Sequence, residues 1–142
     1  MGSTSVAEGI EACKHGLVLV VDDDADIREA IVSVLNDAGY PTAQAKDGRE
    51  ALAFVQNATD KPSLVLLDLM MPTMDGWQLR ARLRSDPALA EIPIVIMTAH
   101  AGVLRAVSNA SPQTPVLPKP LDIEQLLQAV ATYSQPTPAR SV

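Results

Sequence analysis

The sequence predicts an α/β fold, a three-layer sandwich in which helices cover both faces of a five-stranded parallel sheet. Three observations carry that expectation. Short apolar runs alternate along the chain with stretches whose apolar residues recur every third or fourth position, the spacing of a helix with one buried face. The runs at 17–21, 64–67 and 94–97 lack polar alternation, as strands buried on both faces do. Each of them also ends on a polar residue, Asp22, Asp68 or Thr98. The carboxyl edge of such a sheet is where ligands bind, because the loops there form a crevice and the following helices turn their N-termini towards it.

In chain order, a polar leader over 1–16 is expected to be flexible, and the first strand at 17–21 runs into Asp22, Asp23 and Asp24. From Asp26 the apolar residues Ile27, Ala30, Ile31, Val34, Leu35 and Ala38 mark the inner face of a helix that Gly39 closes. Asp24 and Asp26 suit its cap and first turn, where the helix dipole favours negative charge. A weakly apolar second strand follows at 41–45, and Asp47-Gly48 opens a helix with Ala51, Leu52 and Val55 inward. After a polar loop, the third strand at 64–67 ends in Asp68, and Pro72 and Gly76 punctuate the loop beyond it. Trp77, Leu79 and Leu83 place a third helix between Gly76 and Ser85, with Trp77 expected to be a partly buried packing residue and Asp86-Pro87 stopping the helix. The fourth strand at 94–97 ends in Thr98. A short helix is expected at 103–110, but Pro112, Pro115 and Pro118 make this region irregular. A short fifth strand at 116–117 reaches Lys119-Pro120, after which Asp122 caps a helix with Ile123, Leu126, Leu127 and Val130 on one face. The chain therefore divides into the leader, one domain at 17–134 and a proline-containing tail at 135–142, expected to be disordered.

Composition narrows the functional classes. A chain of 142 residues can bury a substantial core without disulfides, and its one thiol, Cys13, can neither form an internal bridge nor build a zinc motif. Any metal must therefore be held by oxygen. With 17 acidic against 11 basic residues, the net charge of -6 argues against non-specific binding to nucleic acid or acidic membranes. Neither a signal peptide nor a membrane span is visible, so a cytoplasmic location is expected.

If the first, third, fourth and fifth strands lie side by side, Asp22, Asp23, Asp68, Thr98 and Lys119 meet at one edge. Three neighbouring carboxylates repel one another, and a hard divalent ion with oxygen ligands, Mg²⁺ by availability and size, offsets that charge. Such an ion would keep Asp68 nucleophilic and neutralise an incoming phosphoryl group. The Lys119 ammonium and the Thr98 hydroxyl suit its oxygens.

With those residues in place, the chain resembles the receiver domain of bacterial two-component response regulators, the fold typified by the chemotaxis regulator, from Leu17 to about Tyr133. The likeness rests on Val20-Val21-Asp22-Asp23, on Asp68 with Met71-Pro72-x-x-Asp75-Gly76, on Thr98-Ala99 and on Lys119-Pro120. It implies a flavodoxin-like sheet of order 2-1-3-4-5. It implies that Asp68 is a phosphoacceptor, charged by a sensor histidine kinase or a phosphotransfer protein. Asp22, Asp23, Asp68 and the Met70 backbone carbonyl would hold Mg²⁺, with Asp23 a direct ligand. Thr98 and Lys119 would sense the phosphoryl group, and the Lys119–Pro120 bond would be cis. The chemistry would be confined to the chain's own side chain rather than to an outside substrate, with a downstream protein partner and no direct contact with nucleic acid or membrane. In the family the Met70 and His100 positions flank the path of hydrolytic water. Methionine cannot orient water by a strong hydrogen bond, so slow autodephosphorylation is expected.

Two departures stand out. Val116 occupies the position where most receivers carry Tyr or Phe, and the preceding segment has proline in place of the usual Gly-Ala step. The usual threonine-aromatic switch, and signalling through that face, are therefore not assumed. Val32, read as lying off the buried stripe of the first helix, is a candidate for a kinase-docking surface. The resemblance fits a stand-alone regulator and a receiver from a hybrid kinase alike. Two other functions stay open: a degenerate receiver acting as an interaction module, and, more remotely, a Mg²⁺-dependent phosphohydrolase of the haloacid-dehalogenase type, with Asp22-x-Asp24 after its first strand.

Overall fold

The computed structural model describes residues 16–69, 71, 76–99 and 115–134. Its elements run β1 (Val18–Val21), α1 (Ala25–Asp37), β2 (Thr42–Ala45), α2 (Gly48–Asn57), β3 (Leu64–Asp68), α3 (Gly76–Ser85), β4 (Ile94–Thr98), β5 (Val116–Pro118) and α4 (Ile123–Tyr133). All five strands pair in parallel, in the order β2-β1-β3-β4-β5, so the expected fold and strand order are those observed. The helix expected at 103–110, the leader over 1–15 and the tail over 135–142 lie outside the described residues.

Every residue of β1, β3 and β4 is buried, which accounts for their unbroken apolar sequences. Successive side chains point to opposite faces and feed two separate cores. Leu19, Val21, Val65, Leu67 and Ile96 meet Ala51, Leu52 and Val55 of α2 and Leu79 and Leu83 of α3. Val18, Val20, Leu64, Leu66, Val95 and Met97 meet Ile31 and Leu35 of α1 and Leu126, Ala129 and Val130 of α4. Burying each of these large side chains stabilises the fold by roughly 1.5–3 kcal/mol.

Local chemistry sets the helix ends. The Asp24 carboxylate accepts from the N–H groups of Asp26 and Ile27, and Asp122 accepts from that of Gln125. Asp47 accepts from Glu50 N–H, while the Glu50 carboxylate accepts from Lys46 N–H, so two groups at the start of α2 are satisfied reciprocally. At the other end of α1, Gly39 adopts a φ of 95°, which L side chains rarely reach. There Tyr40 N–H bonds Leu35 O and Gly39 N–H bonds Asn36 O, a Schellman ending with Tyr40 buried beside Leu35 in the core.

Burial differs from the expected faces at several positions. Ala30 and Ala38 are exposed, whereas Val32, expected off the buried stripe, packs against the α1–α4 core with Ile27 and Val34. The inner face of α1 is thus rotated and wider than the periodicity implied, and it takes in Val32 as a partly buried residue. Ile123, in the first turn of α4, is 57% exposed. Trp77, at 38% exposed, is partly buried as expected.

Candidate functional site

Strand register gathers the site. Val21 pairs with Leu67, so the next residues, Asp22 and Asp68, leave neighbouring strands side by side. Asp68 pairs with Met97 and Thr98 pairs with Pro118, which places Thr98 and then Lys119 along the same edge. Lys119 N–H donates to Thr98 O at 2.9 Å, carrying the β4–β5 ladder one residue past the strand. The five side chains singled out in the sequence thus converge at the carboxyl edge of the sheet.

Asp22 and Thr98 are fully buried and Asp68 is 4% exposed, whereas Asp23 is exposed. Both carboxylate oxygens of Asp22 are engaged: Oδ1 accepts from Asp24 N–H at 2.9 Å and Oδ2 from the Lys119 ammonium at 2.8 Å. Lys119 Nζ also stands 3.5 Å from Asp68 Oδ1, so one cation bridges the two buried acids. The Lys119–Pro120 peptide is cis, as the resemblance implied.

One oxygen from each of Asp22, Asp23 and Asp68 lies within 4.8 Å of the others. At that separation two unit negative charges repel by roughly 3 kcal/mol at an effective dielectric constant of about 20. Among the described residues, Lys119 is the cation in ion-pair contact with Asp22 and Asp68, so the three carboxylates leave negative charge in excess. A set of hard oxygen donors with that residual charge fits a small divalent cation such as Mg²⁺. Met70 and His100 lie outside the described residues, so the expected carbonyl ligand and the expected flank of the water path belong to that undescribed part.

Gly76 fixes how closely the N-terminus of α3 approaches this edge. Its N–H donates to Leu69 O at 3.1 Å, and a Cβ on it would stand 2.8 Å from both Asp68 O and Leu69 Cα. Only glycine fits there without a shift of the backbone that carries Asp68. Sequence reasoning placed Gly76 in a motif but missed this contact. It also missed Arg28, whose guanidinium donates to the Asp22 backbone carbonyl at 2.8 Å and to Gln44 Oε1 at 2.9 Å. The only sequence signal for Arg28 was a cation six residues beyond an acidic turn.

Comparison with known proteins agrees with this architecture. The family model of the response regulator receiver domain matches residues 18–131. The response regulator MprA of Mycolicibacterium vanbaalenii is 40% identical over 111 residues, which are 78% of this chain and 46% of that protein. MprA of Mycobacterium ulcerans is 39% identical over the same length. This chain thus spans about half the length of the curated relatives it matches. Among solved structures, chemotaxis protein CheY4 of Vibrio cholerae superposes with a TM-score of 0.74 at 32% identity, covering 84% of this chain and 98% of CheY4. The signal receiver domain of a signal transduction histidine kinase from Syntrophus aciditrophicus gives 0.74 at 28% identity, covering 83% of this chain and 89% of that one. A match over most of the described fold, with the acidic turn, the Asp68 strand and the Lys119-Pro120 edge in place, leads to one conclusion: the chain belongs to the response regulator receiver domain family.

Proposed function

We propose that this receiver is the phosphoacceptor of a two-component phosphorelay, in which Asp68 takes a phosphoryl group from a histidine kinase or phosphotransfer protein. The observation that carries the reading is the buried Asp68 carboxylate at the tip of β3, 3.5 Å from the Lys119 ammonium and beside the two acids of the β1 turn. Asp22 is a poor rival nucleophile, since both its oxygens already accept hydrogen bonds, which weighs against the hydrolase alternative.

In the proposed step an Asp68 carboxylate oxygen attacks phosphorus. A P–O bond forms to Asp68 while the P–N bond of the donor phosphohistidine breaks, and its electron pair stays on the imidazole nitrogen, which then takes a proton. Lys119 pairs with one phosphoryl oxygen and the Thr98 hydroxyl donates to another, both from positions fixed by the β4–β5 ladder. Asp22, Asp23, Asp68 and the Met70 carbonyl would hold Mg²⁺, which would supply charge neutralisation for the arriving group. Drawing Thr98 and Lys119 towards the phosphoryl group shifts the β4–β5 edge, and that shift is the signal to a protein partner. Val116, half-buried against the α2–α3 core, takes part without an aromatic switch.

The domain over 17–134 carries this chemistry on itself and turns over no outside substrate. The same reading holds whether the receiver stands alone or belongs to a longer chain, and it places the protein in the cytoplasm beside its kinase. Among the described residues no helix is long and apolar enough to cross a membrane. Slow hydrolysis of the acyl phosphate is part of the proposal, and loss of the adduct within seconds contradicts that part. The test is intact mass after incubation with acetyl phosphate, with and without Mg²⁺, on this chain and on Asp68→Asn. A single Mg²⁺-dependent adduct that vanishes in the variant is expected. No adduct favours a binding module, and one that survives the substitution favours the hydrolase reading.

A further inference from the structure

Asp22 is anchored on every side. Its N–H donates to Ala45 O at 3.2 Å, its two carboxylate oxygens accept from Asp24 N–H and Lys119, and its carbonyl oxygen accepts from Arg28 Nη1 at 2.8 Å. Asp23 differs. It is exposed, and among the described residues no hydrogen bond or ion pair ends on its carboxylate. Its direction must therefore come from the main chain. The Asp22 carbonyl and the Asp23 N–H belong to one planar peptide unit, so fixing that oxygen fixes the direction in which Asp23 Cα leaves the strand.

Arg28 does this from a braced position. It lies near the start of α1, and its Nε donates to Gln44 Oε1 at 2.9 Å on the edge strand β2. One rigid planar fork therefore ties the acidic turn to both α1 and β2, a geometry that a lysine ammonium cannot reproduce. We propose that Arg28, braced by Gln44, is a positioning residue that orients Asp23 for divalent-cation binding, acting through the Asp22–Asp23 peptide. This rests on the phosphoacceptor reading above and adds a residue to it.

A rival role for Arg28 predicts effects of the opposite sign. If Arg28 acted only as a nearby positive charge, removing it would tighten binding of a cation, and Arg28→Lys would change nothing. A positioning role predicts weaker binding in both variants, because the fork is lost in both. Orienting partners of metal ligands typically contribute about tenfold or more in affinity. Gln44→Ala removes the brace without changing any charge.

The experiment measures the thermal midpoint against MgCl₂ concentration for the wild-type chain, Arg28→Met, Arg28→Lys and Gln44→Ala, which yields an apparent Kd for Mg²⁺ alone. Phosphoryl adduct formation from acetyl phosphate is followed at limiting and at saturating Mg²⁺. The expected result is a Kd weakened about tenfold in both Arg28 variants and by a smaller factor in Gln44→Ala, with the labelling deficit largely recovered at saturating Mg²⁺. A Kd equal to or tighter than wild type in Arg28→Lys and Arg28→Met overturns the proposal and leaves the phosphoacceptor reading intact. A wild-type chain that neither responds to Mg²⁺ nor labels overturns both. Should the Arg28 variants not melt cooperatively, Gln44→Ala decides: an unchanged Kd overturns the positioning role and a weakened one supports it.

Discussion

Replacing Gly76 with alanine sets two effects of opposite sign against each other. By propensity alone, alanine at a helical position gains up to about 1 kcal/mol over glycine. Against this, the added Cβ would stand 2.8 Å from Asp68 O and from Leu69 Cα and 2.9 Å from Leu69 Cδ2. Ordinary carbon contacts begin near roughly 3.5 Å, so α3 and the β3 tip must separate by about 0.7 Å. Two of the three atoms are main chain, and the Leu69 side chain is itself 1% exposed, so rotation relieves little. Overpacking of this kind costs about 1–3 kcal/mol, and at the middle of that range it outweighs the propensity gain and leaves a net loss of roughly 1 kcal/mol. In urea, with a slope of about 1–3 kcal/mol per molar, the midpoint should fall by roughly 0.3–1 M. Because the displaced backbone carries Asp68, acetyl phosphate labelling should slow about tenfold, since misplacements of this order in an active site cost one to two orders of magnitude. A midpoint at or above wild type together with an unchanged labelling rate would show that the Gly76 contact does not position Asp68.

Three further pairs of substitutions probe the acid pair, a cap and the core. Lys119→Met leaves the buried Asp22 without its ammonium partner and should cost roughly 3 kcal/mol in urea unfolding, whereas Asp68→Asn, which keeps the Asp22–Lys119 pair and removes one repulsion, should cost less than about 1 kcal/mol. An equal loss in both would show that the Asp22–Lys119 bond is not what holds this edge. Asp24→Ala removes the α1 cap and should lower stability by about 1 kcal/mol, while Asp24→Asn, an equally good cap, should change it little. Leu66→Ala, at a fully buried central position, should cost about 2–5 kcal/mol by calorimetry or urea titration, against under about 1.5 kcal/mol for Leu66→Met.

What was legible in the sequence was local or periodic. Unbroken apolar runs gave the central strands because a strand covered on both faces has no polar position to spare. Asp24, Asp47 and Asp122 announced helix starts through a bond their side chains make within three residues. The tips of β1, β3 and β4 could be aligned because parallel strands share one direction, so Asp22, Asp68 and Thr98 had to share one edge. The misreadings are tertiary. Periodicity locates the centre of a buried stripe but not its width, which the neighbouring elements set, so Val32 was placed outside a core that it packs against. Ile123 carries the apolar signature of a buried residue yet is 57% exposed in the first turn of its helix, while Trp77, expected to be partly buried, is so. Arg28 was missed because its partner Gln44 lies sixteen residues away on another strand, a separation that no local pattern encodes. Gly76 was visible as punctuation, but its reason, the close approach of Asp68 and Leu69, exists only after folding.

Identifying the labelled residue shows whether Asp68 accepts the phosphoryl group. After acetyl phosphate and Mg²⁺, borohydride reduction converts an acyl phosphate into the alcohol, marking the aspartate that carried it, and peptide mass mapping then locates the mark. The mark is expected on Asp68 and is lost when Mg²⁺ is chelated beforehand. A mark on Asp22, or its absence from Asp68 in the presence of Mg²⁺, would contradict that role for Asp68.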